Sequence, residues 1–271
     1  MRLIAAVLAL ALAATGALAQ NRLETLDTGD KSRGWEAVGR LDIGGTGFCT
    51  GALIAPDLVL TAAHCLFDKD SGARLDHREI TFLAGWRNGR AEAYRAIRRA
   101  VAHPNYVYQS ETGPLRVQND VALLELVRPI RNTTVIPFAT GAQPGPGAEI
   151  GVVSYARDRA EAPSLQEVCR VRARQSGVLV MDCDVDFGAS GAPVFSIGPE
   201  GPRIVSVVSA MAEMAGRKVS LGTALEGPLA LLHAELAAGR GLAPGDAPSV
   251  RRIRVGEETR KDMGAKFVTA E

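Results

Sequence analysis

The chain lacks several features that mark common functional classes. Its 271 residues carry 31 Lys and Arg against 30 Asp and Glu, a formal net charge of +1, so the basic excess typical of nucleic-acid binders is missing. The four cysteines include no C-x-x-C pair, and no two histidines have the spacing of metal ligands. Beyond the first 20 residues no apolar run is long enough to span a bilayer. We therefore expect no metal, no cofactor, no nucleic-acid partner and no membrane span in the mature protein.

The beginning of the chain is apolar and predicts a signal peptide over residues 1–19. Arg2 supplies the positive start, an apolar run follows, and Ala17-Leu18-Ala19 has the small-x-small form of a cleavage site. A membrane anchor is the alternative, but the run is short for a span and a polar sequence follows at once. We expect an exported protein that is secreted or periplasmic, with no membrane attachment after cleavage.

Export would place the four cysteines in an oxidising compartment, where disulfides persist. Four cysteines allow three pairings, and local spacing favours Cys49 with Cys65 and Cys169 with Cys183. Cys169 and Cys183 are equidistant from a turn centred on Ser176, so they would face each other across a hairpin.

Short apolar runs separated by Gly and Pro turns predict an all-β fold. One helix is expected late in the chain, in PLALLHAELAAG, between Pro228 and Gly239. The loop-like ATGAQPGPGAE at 139–149 predicts a linker, and the mixed-charge end predicts a flexible tail. The expected segments are a signal peptide (1–19), an N-terminal segment (20–33), a first domain (34–139), a second domain with the helix (140–239) and a tail (240–271).

Three motifs carry candidate chemistry: LTAAHCL with His64, NDVALLEL with Asp120, and FGASGAPVF with Ser190. Each of these residues alone is more often an ordinary turn or surface residue. Together they occur in the order His, Asp, Ser, with separations of 56 and 70 residues. TAAHC, HPNY followed by NDVALLEL, and GASGAP as a variant of GDSGGP resemble the motifs of the trypsin/chymotrypsin-like serine peptidases. The resemblance runs over roughly residues 34–239.

The resemblance implies two six-stranded antiparallel β-barrels with a catalytic cleft between them and a C-terminal helix. His64 and Asp120 would come from the first barrel and Ser190 from the second. His64 would act as the base for the Ser190 hydroxyl, and Asp120 would orient the imidazole. The backbone N–H groups of Gly188 and Ser190 would form the oxyanion hole. We expect a monomeric serine endopeptidase that acts on protein or peptide substrates through an acyl-enzyme.

The residue before the candidate nucleophile is Ala189. The trypsin branch has an aspartate there, which pairs with a new α-amino group after propeptide cleavage, and its Ile-Val-Gly-Gly start is also absent here. We expect activity without that activation step, as in the bacterial glutamyl-endopeptidase-like branch.

Candidate substrate-binding residues are Asp184, Ser209 and Met211. Asp184 lies six residues before Ser190, where trypsin-like members carry the aspartate that selects Lys or Arg. Asp186 is a second candidate for selecting Lys or Arg. Either carboxylate is also suited to capping the backbone N–H groups of a turn. Ser209 lies 19 residues after Ser190, on the strand that would pair with substrate, and Met211 would narrow the pocket mouth.

Two other functional classes stay open at this point. A binding protein on the same fold would have weak or no turnover, although such members usually lose one of the three residues. An ester hydrolase with the G-x-S-x-G elbow would need a histidine after the serine. Only His233 follows Ser190, in the expected helix.

Overall fold

The computed structural model describes residues 23–45, 47–108 and 113–242. The expected signal peptide, and all of the expected tail beyond Leu242, lie outside these residues. Within the described ranges no helix is both long and apolar enough to cross a bilayer.

The strands are β1 Leu23–Thr25, β2 Val38–Ile43, β3 Gly47–Ala55, β4 Leu58–Thr61, β5 Ile80–Ala84, β6 Ala93–Ala102, β7 Ala122–Leu126, β8 Glu149–Ala156, β9 Arg159–Gln175, β10 Val178–Met181, β11 Pro193–Gly198, β12 Gly201–Met214 and β13 Arg217–Ala224. The helices are α1 Pro114–Gln118 and α2 Glu226–Ala237.

Strands β2 to β7 form a closed antiparallel barrel in the order β2-β3-β4-β7-β6-β5. Alternation along the strands decides which side chains enter it, because successive residues point to opposite faces. In β6 the sequence AYRAIRRAVA buries Ile97 and leaves Arg98 exposed, and a bulge between Ile97 and Arg99 shifts the alternation so that Ala100 is buried as well. Strands β4 and β7 are almost wholly buried, so they form the apolar centre of this barrel.

The other strands form a second antiparallel sheet in the order β1-β9-β10-β13-β12-β11-β8. Strand β8 also pairs with β9, so the pairings of six strands close on themselves and β1 is added to the outer edge of β9. The all-β expectation with a C-terminal helix is confirmed. Residues of the expected N-terminal segment contribute β1, a seventh strand that the sequence did not indicate.

The two barrels share buried contacts. Phe195 of β11 packs edge-on against Trp35 and Phe138, with ring centroids 5.0 and 4.8 Å away. Helix α2 begins at Glu226, two residues before the expected Pro228, and packs on the first barrel rather than the second. The Arg99 guanidinium donates to the Leu236 carbonyl at 2.8 Å, so the end of α2 is bound to the first barrel.

Candidate active site

His64 lies in a short 3-10 turn, Ala63–Leu66, that begins just after β4. Asp120 lies between α1 and β7, and its side chain is almost fully buried. The Nδ1 atom of His64 donates to Oδ2 of Asp120 at 2.7 Å, and the His64 backbone N–H donates to Oδ1 at 2.9 Å. A carboxylate only accepts, so it fixes the proton on Nδ1 and leaves Nε2 able to accept one.

The Asp120 carboxylate is held ionised in this buried position. Burial alone would raise its pKa, but the nearby His64 and the hydrogen bonds from His64 and Ser209 outweigh it and keep the pKa below its usual value. The Ser209 hydroxyl on β12 donates to Oδ2 at 2.5 Å. Thr223 on β13 donates to the carbonyls of Val117 and Asp120 at 2.5 and 3.2 Å. The second barrel thus holds both the side chain and the backbone of Asp120.

Ser190 lies in a tight turn that precedes β11 and is partly exposed. Its carbonyl accepts from the Thr50 N–H at 2.9 Å, and the neighbouring Gly191 N–H donates to the Val208 carbonyl at 2.8 Å. The turn is therefore fixed to β3 of the first barrel and to β12 of the second. Among the described residues the Ser190 hydroxyl makes no hydrogen bond. Contacts between a base and its nucleophile commonly tighten only when substrate binds.

Two backbone N–H groups at this turn have no acceptor among the described residues, those of Gly188 and Ser190. The Phe187 carbonyl, in contrast, accepts from the Arg157 N–H at 2.7 Å. The C=O and N–H of a trans peptide point in opposite directions, so this bond directs the Gly188 N–H away from Arg157. Free backbone N–H groups are the kind of donor that an oxyanion hole uses.

Thr50 is a residue of the site that the sequence analysis missed. Its hydroxyl donates to the Gly188 carbonyl at 2.9 Å and accepts from the Tyr155 N–H at 3.1 Å. Its backbone carbonyl accepts from the Thr61 hydroxyl at 2.8 Å. The only sequence signal is a threonine in a strand of small apolar residues, directly after Cys49.

Glycine is required at two positions of the turn. Gly191 has φ +76°, and a Cβ there would lie 2.1 Å from the Thr61 hydroxyl oxygen and 2.5 Å from the Thr50 carbonyl oxygen. Gly188 has φ +100°, and a Cβ there would lie 2.4 Å from the Phe48 ring. Both backbones are left-handed and closely packed, a combination open only to glycine.

Both expected disulfides form. Cys49–Cys65 joins β3 to the turn of His64, with 6.3 Å between the Cα atoms, and a ring nitrogen of His64 lies within 4.8 Å of the sulfurs. Closing a loop of this length contributes on the order of 3 kcal/mol. Sulfur atoms in a disulfide are not thiolate ligands, so this cluster does not bind a metal. Cys169–Cys183 closes the β9–β10 hairpin, with 5.1 Å between the Cα atoms.

The three candidate specificity residues lie in different surroundings. The Asp184 carboxylate is 61% exposed and lies 3.7 Å from the Lys218 ammonium, so it does not sit at the base of a closed pocket. The Asp186 carboxylate accepts from the Phe187 N–H at 2.7 Å, which is a turn cap. Met211 is partly buried, pairs with Ser220 and packs against the core of the second barrel. Ser209 faces Asp120, as given above.

Ala189 is completely buried and belongs to the apolar core of the second barrel. A charged amino group could not be paired there. His233, the histidine of the ester-hydrolase alternative, lies on the exposed side of α2 and lines a groove with Leu225 and Leu229. Ser190 does not line that groove.

The sequence was compared with models of known protein families. The model of the Trypsin family matches residues 28–220 of the chain. The chain belongs to the trypsin family. The match covers all three motifs.

Relatives within the family are distant. Serine protease 23 of Mus musculus is 29% identical over 163 residues, 54% of this chain and 42% of the relative. Glutamyl endopeptidase of Bacillus licheniformis is 26% identical over 150 residues, 55% of this chain and 45% of the relative. The aligned part thus spans less than half the length of these relatives.

Solved structures show the same fold. A Glu endopeptidase in complex with MPD superposes with a TM-score of 0.65 at 17% identity, covering 81% of this chain and 98% of that one. A scabies mite inactivated protease paralogue, S-D1, superposes with a TM-score of 0.63 at 15% identity, covering 83% and 99%. The fold therefore occurs in a protein described as inactivated, and an activity has to be argued from the residues of the cleft.

Proposed function

We propose that the chain is an exported serine endopeptidase in which Ser190 forms an acyl-enzyme with peptide substrates. The observation that carries the proposal is the buried Asp120 carboxylate, which binds both Nδ1 and the backbone N–H of His64. That contact leaves Nε2 as the free base of the imidazole. Homologues named as serine proteases and two disulfides support the same class and an extracellular setting.

In the proposed reaction Nε2 of His64 takes the proton of the Ser190 hydroxyl as its oxygen bonds to the substrate carbonyl carbon. The negative charge on the carbonyl oxygen is stabilised by the N–H groups of Gly188 and Ser190. The carbon–nitrogen bond then breaks, and His64 returns the proton to the leaving amine. Water attacks the ester by the same route and releases the acid. Loss of one oxyanion donor in a related site costs roughly two to three orders of magnitude in rate.

Activity is proposed without N-terminal activation. The position before Ser190 is a buried alanine, and the two oxyanion donors are already free. Strand β1 pairs with β9 from Leu23 to Thr25, so these residues of the N-terminal segment belong to the folded sheet.

The test is peptide-bond cleavage by the signal-cleaved protein. An unfolded protein substrate is incubated with wild type, Ser190→Ala and a control, Ser196→Ala, in which the same change is made on β11 outside the cleft. New termini are counted by mass spectrometry. We expect cleavage by wild type and Ser196→Ala, and a loss of about a thousandfold or more for Ser190→Ala. A folded wild type that cleaves nothing would favour the binding-protein alternative.

A further inference from the structure

Gly188, one of the two candidate oxyanion donors, is flanked by two aromatic rings. Phe187 precedes it in the chain, and the Phe48 ring is the closest group to a Cβ built at Gly188. Each ring has an arginine over it. The Arg40 guanidinium carbon lies 4.5 Å from the Phe48 centroid, and that of Arg157 lies 4.8 Å from the Phe187 centroid. Each of the two rings that flank Gly188 therefore carries a guanidinium group.

Arg157 is the more accessible of the two. Its backbone N–H holds the Phe187 carbonyl, and the Phe187 ring beneath it is 59% exposed. Among the described residues no carboxylate lies within 4.0 Å of its guanidinium. Asp158, next to Arg157 in the chain, pairs with Arg159 at 3.4 Å, and Asp186, next to Phe187, caps its own turn.

Arg40 lies on the face of the first barrel that meets the second. In the β2–β3 ladder Arg40 is opposite Thr50 and Asp42 is opposite Phe48, so all four share one face. Its Nε is buried and has no acceptor among the described residues. The carboxylates of Asp42 and Glu161 come only to 4.0 and 3.9 Å from its terminal nitrogens, beyond hydrogen-bond length.

The proposed function assigns the two rings to the leaving-group side of the scissile bond. Phe48 precedes Cys49, whose disulfide joins it to Cys65 beside His64, the residue that would protonate the leaving amine. The acyl half of a substrate would instead run along β12, near Ser209. The segment that follows the scissile bond therefore passes the rings and the guanidinium groups on them.

We propose that the Arg40–Phe48 and Arg157–Phe187 pairs bind acidic side chains in the leaving-group half of the substrate. The proposal rests on the proposed endopeptidase function and adds a preference for Asp or Glu just after the scissile bond. A guanidinium held over a ring has lost part of its freedom before binding, and it is less strongly hydrated than an ammonium. Because the site is partly exposed, the selectivity expected is about two- to tenfold and falls with added salt.

Acyl transfer to added amines tests the leaving-group half of the site separately from the half that binds the acyl group. An acyl ester of a small phenol acylates Ser190 with a leaving group too short to reach the arginines. Dipeptide amides carrying Asp or Asn then compete with water for the acyl-enzyme, and the ratio of transfer to hydrolysis is measured. We expect Asp nucleophiles to exceed Asn nucleophiles by about two- to tenfold in wild type. Arg157→Gln should bring the ratio close to one, Arg40→Gln should lower it, and Arg203→Gln on β12 should leave it unchanged.

Ester hydrolysis should be the same in wild type and Arg203→Gln, whose side chain lies away from the turn of Ser190. The Asp-to-Asn ratio is taken within each variant, so a change in the rate of ester hydrolysis does not enter it. Equal use of Asp and Asn nucleophiles by wild type, with ester hydrolysis intact, would overturn the acidic preference alone. A preference that survives Arg40→Gln and Arg157→Gln together would also overturn it. Absence of any ester turnover would overturn the proposed function and this inference with it.

Discussion

The Ser209 hydroxyl of the second barrel donates to the Asp120 carboxylate of the first at 2.5 Å. This hydrogen bond joins β12, whose Val208 carbonyl accepts from the serine turn, to the group that orients His64. Because the donor and the acceptor come from different barrels, the orientation of the imidazole depends on how the barrels dock.

Ser209→Ala removes this donor from a buried carboxylate. A hydrogen bond to a charged group contributes about 1.5–3 kcal/mol. Because Oδ2 of Asp120 also accepts from Nδ1 of His64, we expect kcat/KM to fall by about ten- to a hundredfold. Ser209→Thr keeps a hydroxyl and should retain most of the activity. Peptide hydrolysis of the two variants is the measurement, and an alanine variant as active as wild type would refute this role.

The ionised Asp120 predicts a dependence of stability on pH. Its folded pKa is below the unfolded value, so its contribution is present above the unfolded pKa, about 3.9, and is lost as the pH falls through the folded pKa. Asp120→Asn should therefore show a smaller loss of stability on acidification than wild type. Urea unfolding at a series of pH values between 2 and about 6 measures it. Parallel pH profiles for the two proteins would contradict the prediction.

Thr50→Val should weaken the structure at the serine turn. The change leaves the buried Tyr155 N–H without its acceptor and the Gly188 carbonyl without its donor, which should cost about 1–3 kcal/mol. Thr50→Ser keeps both bonds and serves as the control. Thermal and urea unfolding give the stability, and hydrolysis gives the effect on the turn. A valine variant as stable as the serine variant would show that water satisfies both groups.

Gly191→Ala should be severely destabilising, because its Cβ would meet the Thr61 oxygen and the Thr50 backbone at a positive φ. Gly198→Ala is the matched control, since a Cβ at Gly198 meets nothing within 4 Å and its φ is not positive. We expect the yield of folded protein and the melting temperature to drop for the first variant only. Equal melting temperatures would show that the turn relaxes more easily than its packing indicates.

Asp184→Asn tests the primary pocket. An exposed carboxylate beside Lys218 contributes little to selecting a cationic substrate residue, so cleavage after Lys or Arg, relative to cleavage after Ala or Leu, should change less than about twofold. Profiling both proteins against one peptide library is the measurement. A large loss of cleavage after Lys or Arg would restore Asp184 as the selecting group.

Local patterns predicted much of this molecule. Strand-like runs and turn residues gave the all-β class, and hairpin spacing gave the Cys169–Cys183 pair. The hairpin turn is at Ser176 and Gly177, and a bulge between Val180 and Met181 shifts the register so that the two cysteines face each other. Helix α2 was placed to within two residues of its beginning.

The sequence analysis did not predict the contacts between residues that are far apart in the chain. The hydrogen bond from the Thr50 hydroxyl to the Gly188 carbonyl joins residues 138 apart in the chain. No local sequence pattern at either residue predicts it. The contact of Arg40 with Phe48 depends on strand register. Arg157 reaches Phe187 only because the β8–β9 hairpin folds beside the serine turn. The exposure of Asp184 likewise follows from the loop after β10, which spacing from Ser190 did not reveal.

Reaction with a fluorophosphonate tests the central claim most directly, because only a serine activated by a base and supported by an oxyanion hole reacts rapidly. The signal-cleaved protein and Ser190→Ala are labelled side by side, and the modified residue is located by mass spectrometry. The account predicts one label per chain, on Ser190, without prior proteolysis. A folded wild type that takes no label, or takes it only after its N-terminus is cut, would contradict it.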